Sequence, residues 1–274
     1  MHYKIAISNI AWRKDEDGEV YSLMKKNGVF GLEIAPSRTW ENPYEQDDKT
    51  INIFLELLGE KGITVVGFQS LLFGHPEFAI FQDEKTRNDT MEYLKKNIIL
   101  AGKFDAKALV FGSPKNRIIG DMEKEEAHNI ALTFFGELGR FAFENNTCFC
   151  IEPNPKIYGG DFILTTGEAI ELVKNVNHPG FKLNIDLGTI TANGEDIETA
   201  LRTAIPHAGH FHISEPFLKK IDNNKDKHKK IKELLHKYGY SSALSVEMKG
   251  GEPEISNIKN IQETLNFIGN IYND

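Results

Sequence analysis

Short apolar runs alternate along the chain with longer stretches whose apolar residues recur at helical spacing. The runs are Lys4–Ser8, Phe30–Ala35, Ile63–Ser70, Lys107–Gly112, Thr147–Glu152, Phe181–Asp186, His207–His212 and Ser242–Glu247. The spacing predicts helices at Val20–Lys26, Ile51–Lys61, Lys85–Phe104, Lys124–Asn145, Gly167–Asn175, Ile197–Ala204, Lys227–Tyr238 and Ile258–Tyr272. In the second of these, Ile51, Phe54, Leu55 and Leu58 form one face. Asn27-Gly28, Gly62 and Gly239 stand where helices should stop. Apolar strands linked by helices build a parallel sheet covered on both faces. Eight such units predict a closed (β/α)8 TIM barrel, a fold that typically takes about 250 residues. A doubly wound open sheet is the rival, but no G-x-G-x-x-G follows the first strand. With no linker or low-complexity segment, residues 1–274 are expected to form one domain.

Charge and cysteine content narrow the function classes. The 274 residues carry a formal net charge of −8, which argues against a nucleic-acid surface. Cys148 and Cys150 lie on one face of a strand and read as buried core thiols, with no disulfide framework. That usage fits a reducing compartment. Met1-His2-Tyr3-Lys4 leads straight into the first strand, so no signal peptide is expected, and no apolar run reaches the roughly 18 residues of a membrane span. The expectation is a cytoplasmic protein with no membrane partner. The lysine-rich run Lys219–Lys232 reads as a solvated loop and helix face.

The chemistry gathers at the ends of the last four strands. Cys148-Phe149-Cys150-Ile151-Glu152 ends in a carboxylate before Pro153-Asn154-Pro155, and Phe181–Asp186 ends in another before Gly188. His210-Phe211-His212 ends in an imidazole, and Ala243–Glu247 in a third carboxylate before Gly250. Singly, a glutamate at a strand end is more often a cap or salt-bridge partner, and a buried histidine more often a core group. Four such groups on consecutive strands of a barrel surround one pocket at its C-terminal face. Glu152, Asp186, His212 and Glu247 therefore read as ligands for one divalent ion. Three carboxylates and one imidazole suit Mn²⁺, Mg²⁺ or Co²⁺, with Zn²⁺ also compatible. Such a site favours a neutral polyhydroxy or carbonyl substrate that chelates through its oxygens.

Glu152-Pro153-Asn154-Pro155, Asn184-Ile185-Asp186, His210–Glu215 and Val246-Glu247 resemble the four metal-ligand motifs of the xylose isomerase-like barrel superfamily. Gly31–Pro36 resembles its second-strand signature. The resemblance covers the whole chain and implies a metal-dependent sugar isomerase or epimerase. It makes Glu152 and Glu247 both ligands and the acid/base pair, moving a proton through a metal-stabilised enediolate. Two glutamates on opposite faces would epimerise a carbon, and one glutamate serving two carbons would isomerise an aldose and a ketose. A metal-dependent dehydratase of a cyclitol or hydroxy-ketone, or a non-catalytic sugar-binding barrel, fits the same ligands. Ketose 3-epimerases of this superfamily carry a histidine where Thr189 stands and an arginine where Leu218 stands, which argues against a simple ketose 3-epimerase. Its DNA-repair members need further histidines and a basic face, which this acidic chain does not offer. Relatives are often dimers or tetramers, leaving a homo-oligomer open, though no interface is legible.

His75, Arg117, Asn154, Glu215 and Lys249 are expected to contact the substrate, with Glu33 and Gln69 as further strand-end candidates. Lys115 and Arg117 could hold a phosphate or carboxylate. Trp12 could stack on a sugar ring, and His210 reads as a core histidine behind His212.

Overall fold

The structure, a computed structural model, describes residues 3–221, 223–251 and 256–273. Met1 and His2, from the expected lead-in, lie outside the described residues. Eight strands close a parallel barrel: β1 (Ile5–Ser8), β2 (Gly31–Ile34), β3 (Thr64–Phe68), β4 (Ala108–Phe111), β5 (Phe149–Ile151), β6 (Phe181–Asp186), β7 (Ala208–Ser214) and β8 (Leu244–Glu247). Each pairs with the next, and Ile5–Leu244, Ala6–Ser245 and Ile7–Val246 close the ring.

Around it run α1 (Asp17–Lys26), the short α2 (Pro36–Thr39), α3 (Asp48–Glu60), α4 (Glu84–Lys103), α5 (Lys124–Glu144), α6 (Thr166–Val176), α7 (Leu187–Ala192), α8 (Ile197–Ala204), α9 (Lys225–Lys237) and α10 (Ile258–Tyr272). Polar residues open several of them. Asp47 accepts from the Thr50 amide at 2.8 Å, Asp83 from Thr86 at 2.9 Å and Asp196 from Thr199 at 2.9 Å. Thr165 and Glu168 make a reciprocal capping box. Each cap is worth about 1 kcal/mol.

Several elements, the short α2 among them, depart from the expected pattern. Strand β7 runs past His212 to Ser214, because Ile213 and Ser214 pair with Val246 and Glu247 of β8. After Asp186 comes the helix α7, which is not among the expected helices and is too short for its apolar period to show in sequence. Between sheet and helices, Phe135 of α5 stacks on Phe181 of β6 at 5.1 Å and packs edge-on against Phe111 of β4 at 5.8 Å. Burying one such ring contributes about 1.5–3 kcal/mol. Cys148 and Cys150 bring their sulfurs to 3.3 Å as free thiols. They pack against Gly209, where a Cβ would come within 2.8 Å of both. No helix among the described residues is long and apolar enough to cross a membrane.

Candidate metal centre

The parallel register brings four strand ends to one point. Asp186 pairs with His212 across β6 and β7, and Ser214 pairs with Glu247 across β7 and β8. Glu152 follows β5, with its amide donating to Phe111 O at 3.0 Å. One donor atom from each of Glu152, Asp186, His212 and Glu247 lies within 4.8 Å of the others. His212 Nδ1 is 3.3 Å from Glu152 Oε2, 3.3 Å from Glu247 Oε2 and 4.0 Å from Asp186 Oδ2. All four residues are buried or nearly so.

Their orientations are held from behind. The Nε2 edge of His212 faces Glu33 of β2, at 3.0 Å from Oε1 and 3.1 Å from Oε2, which leaves Nδ1 for the cluster. A carboxylate behind the far nitrogen is the usual support of a metal-ligating histidine. Glu33 is fully buried, accepts from Ser245 Oγ at 2.7 Å, and has His210 Nε2 3.1 Å away, out of line for a hydrogen bond. Burial opposes its charge, but the His212 and His210 imidazoles hold its carboxyl far below the usual range. Glu152 receives one amide on each oxygen, Asn154 Nδ2 on Oε1 and Asn184 Nδ2 on Oε2, both at 2.8 Å. A Cβ at Gly112 would lie 2.9 Å from Glu152 Oε1, so the end of β4 leaves room for this carboxylate. Asp186 caps α7 by accepting from the Thr189 amide at 2.5 Å, and it also accepts from Ser214 Oγ.

The charges do not balance within the protein. Burial pushes the Asp186 carboxyl up to about 6, with Glu152 adding to it, and pushes Glu247 up to about 7 despite His212. Burial works the same way on Glu152, but His212 and the two amides outweigh it and lower its carboxyl. Burial also opposes the charged form of His212, yet Glu33 and Glu247 drive it well above the ordinary histidine range. Among the described residues, no lysine or arginine lines the cavity above the cluster, whose volume is about 370 Å³. Convergent carboxylates with one oriented imidazole are a donor set that fits a divalent metal ion.

The chain matches the family described as xylose isomerase-like TIM barrel over residues 21–271. It belongs to that family. A sequence search of curated proteins finds no match. Among solved structures, the barrel is similar to a D-psicose 3-epimerase from Clostridium cellulolyticum H10 with D-tagatose, at 19% identity and TM-score 0.80, covering 99% of this chain and 100% of that one. It is similar to the 3-keto-D-glucoside 4-epimerase YcjR from E. coli, at 15% identity and TM-score 0.79, covering 97% and 98%. It is also similar to the IolI protein with a bound zinc atom, at 20% identity and TM-score 0.74, covering 98% of each chain. At these identities the likeness establishes the fold.

In this xylose isomerase-like barrel the remaining candidates separate. Asn154 and Glu215 line the cavity, as do Gln69 and Thr189. Glu215 is paired with Lys227 Nζ at 2.7 Å. Arg117 does not reach the cavity lining. It is fully buried, with Nη2 donating to Glu152 O at 2.8 Å, Asn154 Oδ1 at 2.8 Å and Ile163 O at 3.4 Å. Because guanidinium only donates, this bond turns the Asn154 Nδ2 toward Glu152. Lys249 is exposed and does not line the cavity; its backbone N–H donates to Leu218 O at 2.8 Å. His75 and Lys115 line an adjoining cavity instead. Trp12 is buried, donating to Asp17 Oδ1 at 2.7 Å, and does not face a sugar. Glu33, read from sequence as a strand-end contact, supports His212 from below. Tyr158 and Phe217 line the cavity without having been expected there, and Leu218 lines it at the position where the resemblance places an arginine. Phe217 and Leu218 both have positive φ, 62° and 54°, a strained backbone for bulky residues.

Proposed function

We propose that the chain is a divalent-metal-dependent sugar or sugar-derivative isomerase or epimerase, with Glu152, Asp186, His212 and Glu247 holding the ion. The observation that carries this reading is the convergence of Glu152 and Glu247 on His212 Nδ1, each at 3.3 Å. Mn²⁺, Mg²⁺ or Co²⁺ suits the oxygen-rich set, and Zn²⁺ remains compatible. When bound, the ion supplies Lewis acidity that polarises a substrate carbonyl and offsets enediolate charge.

The chain's own residues divide the rest of the work. Glu152, ionised and steadied by two amides, takes a proton from the carbon beside the carbonyl. Glu247, from the end of β8, returns a proton to the carbon from the other side. Proton transfer between the faces gives epimerisation. Asn154, Glu215 and Thr189 would contact sugar hydroxyls from the cavity wall. Thr189 and Leu218 occupy the histidine and arginine positions of ketose 3-epimerases, and both line the cavity, which supports a substrate other than a simple ketohexose. The free thiols Cys148 and Cys150 support a reducing, cytoplasmic setting.

Elemental analysis of wild type beside His212→Ala tests the site directly. About one divalent ion per chain, lost in the variant, is the expected result. The metal-loaded enzyme should exchange a carbon-bound proton of its sugar with D₂O. A product lighter by one water would make the chain a dehydratase. Sugar binding without exchange would make it a binding protein.

A further inference from the structure

The cavity above the four strand ends continues sideways. Its wall at Ser70, Ser113 and Pro114 is shared with a second cavity of about 600 Å³, between the loops after β3 and β4. Both loops leave their strands in the same way. Ser70 has φ 56° and Ser113 φ 41°, and each is followed by a tight turn in which Phe73 N–H donates to Ser70 O at 3.0 Å and Asn116 N–H to Ser113 O at 3.1 Å. A serine in the left-handed region needs support from its surroundings, and the loops supply it to each other. Asn116 Nδ2 donates to His75 O at 3.0 Å and Phe78 O at 2.8 Å, while Ile80 N–H donates to Asn116 O at 3.0 Å. The His75 ring is held between Glu77 and Tyr93, at 2.8 and 2.7 Å. The second cavity therefore has a braced frame.

On that frame stands Phe73, at 74% exposure the most exposed large apolar side chain among the described residues. An aromatic face beside small polar groups and backbone suits the two sides of a sugar ring, apolar C–H on one and hydroxyls on the other. The lining holds one lysine, Lys115, and no arginine, which is poor provision for a phosphate. We propose that this cavity is a subsite for a second ring, so that the enzyme acts on a glycoside, a sugar bearing a further sugar, with the reacting carbons over Glu152 and Glu247 and the second ring against Phe73. The proposal rests on the sugar reading above and names its substrate class.

The test uses the full chain loaded with Mg²⁺, as wild type, Phe73→Ala and Phe73→Tyr. Each is titrated by calorimetry and saturation-transfer NMR with D-fructose, and with isomaltulose and maltulose, in which a fructose carries a glucose ring. The two-ring sugars should bind wild type about tenfold tighter than D-fructose. Phe73→Ala should remove that advantage with D-fructose affinity unchanged, and Phe73→Tyr should keep it. D-fructose binding without a two-ring advantage, or an advantage that survives Phe73→Ala, overturns the subsite and leaves the sugar site standing. Failure of every sugar to bind the metal-loaded protein overturns the sugar reading, and the subsite with it.

Discussion

The two halves of the barrel are built from the same β/α unit and do different work at the site. The second half, β5 to β8, presents Glu152, Asp186, His212 and Glu247 to the cavity, one group from each strand end. The first half, β1 to β4, contributes no donor to that cluster but supports it from behind. Glu33 turns His212, Gly112 leaves room for Glu152, Arg117 fixes the Asn154 amide, and Gln69 is tied to Ser8 at the pocket floor. A donor on its own strand end is only half of a site. For His212 the direction comes from the opposite wall of the barrel, where Glu33 is buried with its hydrogen bonds satisfied. Asn154, Asn184, Thr189 and Ser214 instead hold Glu152 and Asp186 from within their own half.

Changes of decreasing effect sharpen this contrast. Glu247→Gln, in the donor half, should lower turnover about 10²–10⁴-fold while leaving the fold intact, read by proton exchange beside thermal unfolding. Near-wild-type exchange would remove Glu247 from the proton transfer. Glu33→Gln, in the supporting half, should weaken metal binding about 10–100-fold, read by calorimetric titration with Mn²⁺. Full affinity in that variant would mean that the first half is only scaffold.

The smallest expected effect lies where the halves are tied together away from the pocket. Glu16, before α1, accepts from the Asn257 amide and Asn257 Nδ2, both at 2.8 Å, and from Ser256 Oγ at 3.0 Å. Burial raises its carboxyl, but these donors and the Arg13 amide outweigh it and lower it to about 2. A carboxyl whose folded pKa is depressed contributes stability above its unfolded pKa, near 4.3, and loses it as pH falls toward the folded value. Glu16→Ala should therefore cost about 1–3 kcal/mol at pH 7. The gap in thermal stability between variant and wild type should close between pH 4 and about 2. A gap independent of pH would assign the loss to packing.

Much of this was legible in the chain. Apolar runs that end in Glu152, Asp186, His212 and Glu247 carry a local signal, because a polar group closing a buried strand must sit at the barrel mouth. The helices declare themselves by period and cap, and the order of elements implies the closed barrel. Glu33 stands near the end of an apolar run, yet its neighbours lie at His210, His212 and Ser245, and nothing local distinguishes a support from a substrate contact. Arg117 reads as a loop cation for the same reason, since nothing local signals its burial beneath Glu152. The short helix after Asp186 left too few residues for a periodic signal.

What the sequence determined by itself was the set of elements and the chemical kinds of group at their ends, since propensity, capping and alternation act within a few residues. What only the tertiary structure decided was which groups meet. The register shifts at Leu32/Glu33 and Leu183/Asn184 set which side chains share a level. Barrel closure brings Glu33 to His212 across 179 residues. Contacts of that kind depend on where each strand slides against its neighbour, and a one-residue slip turns a side chain to the opposite face.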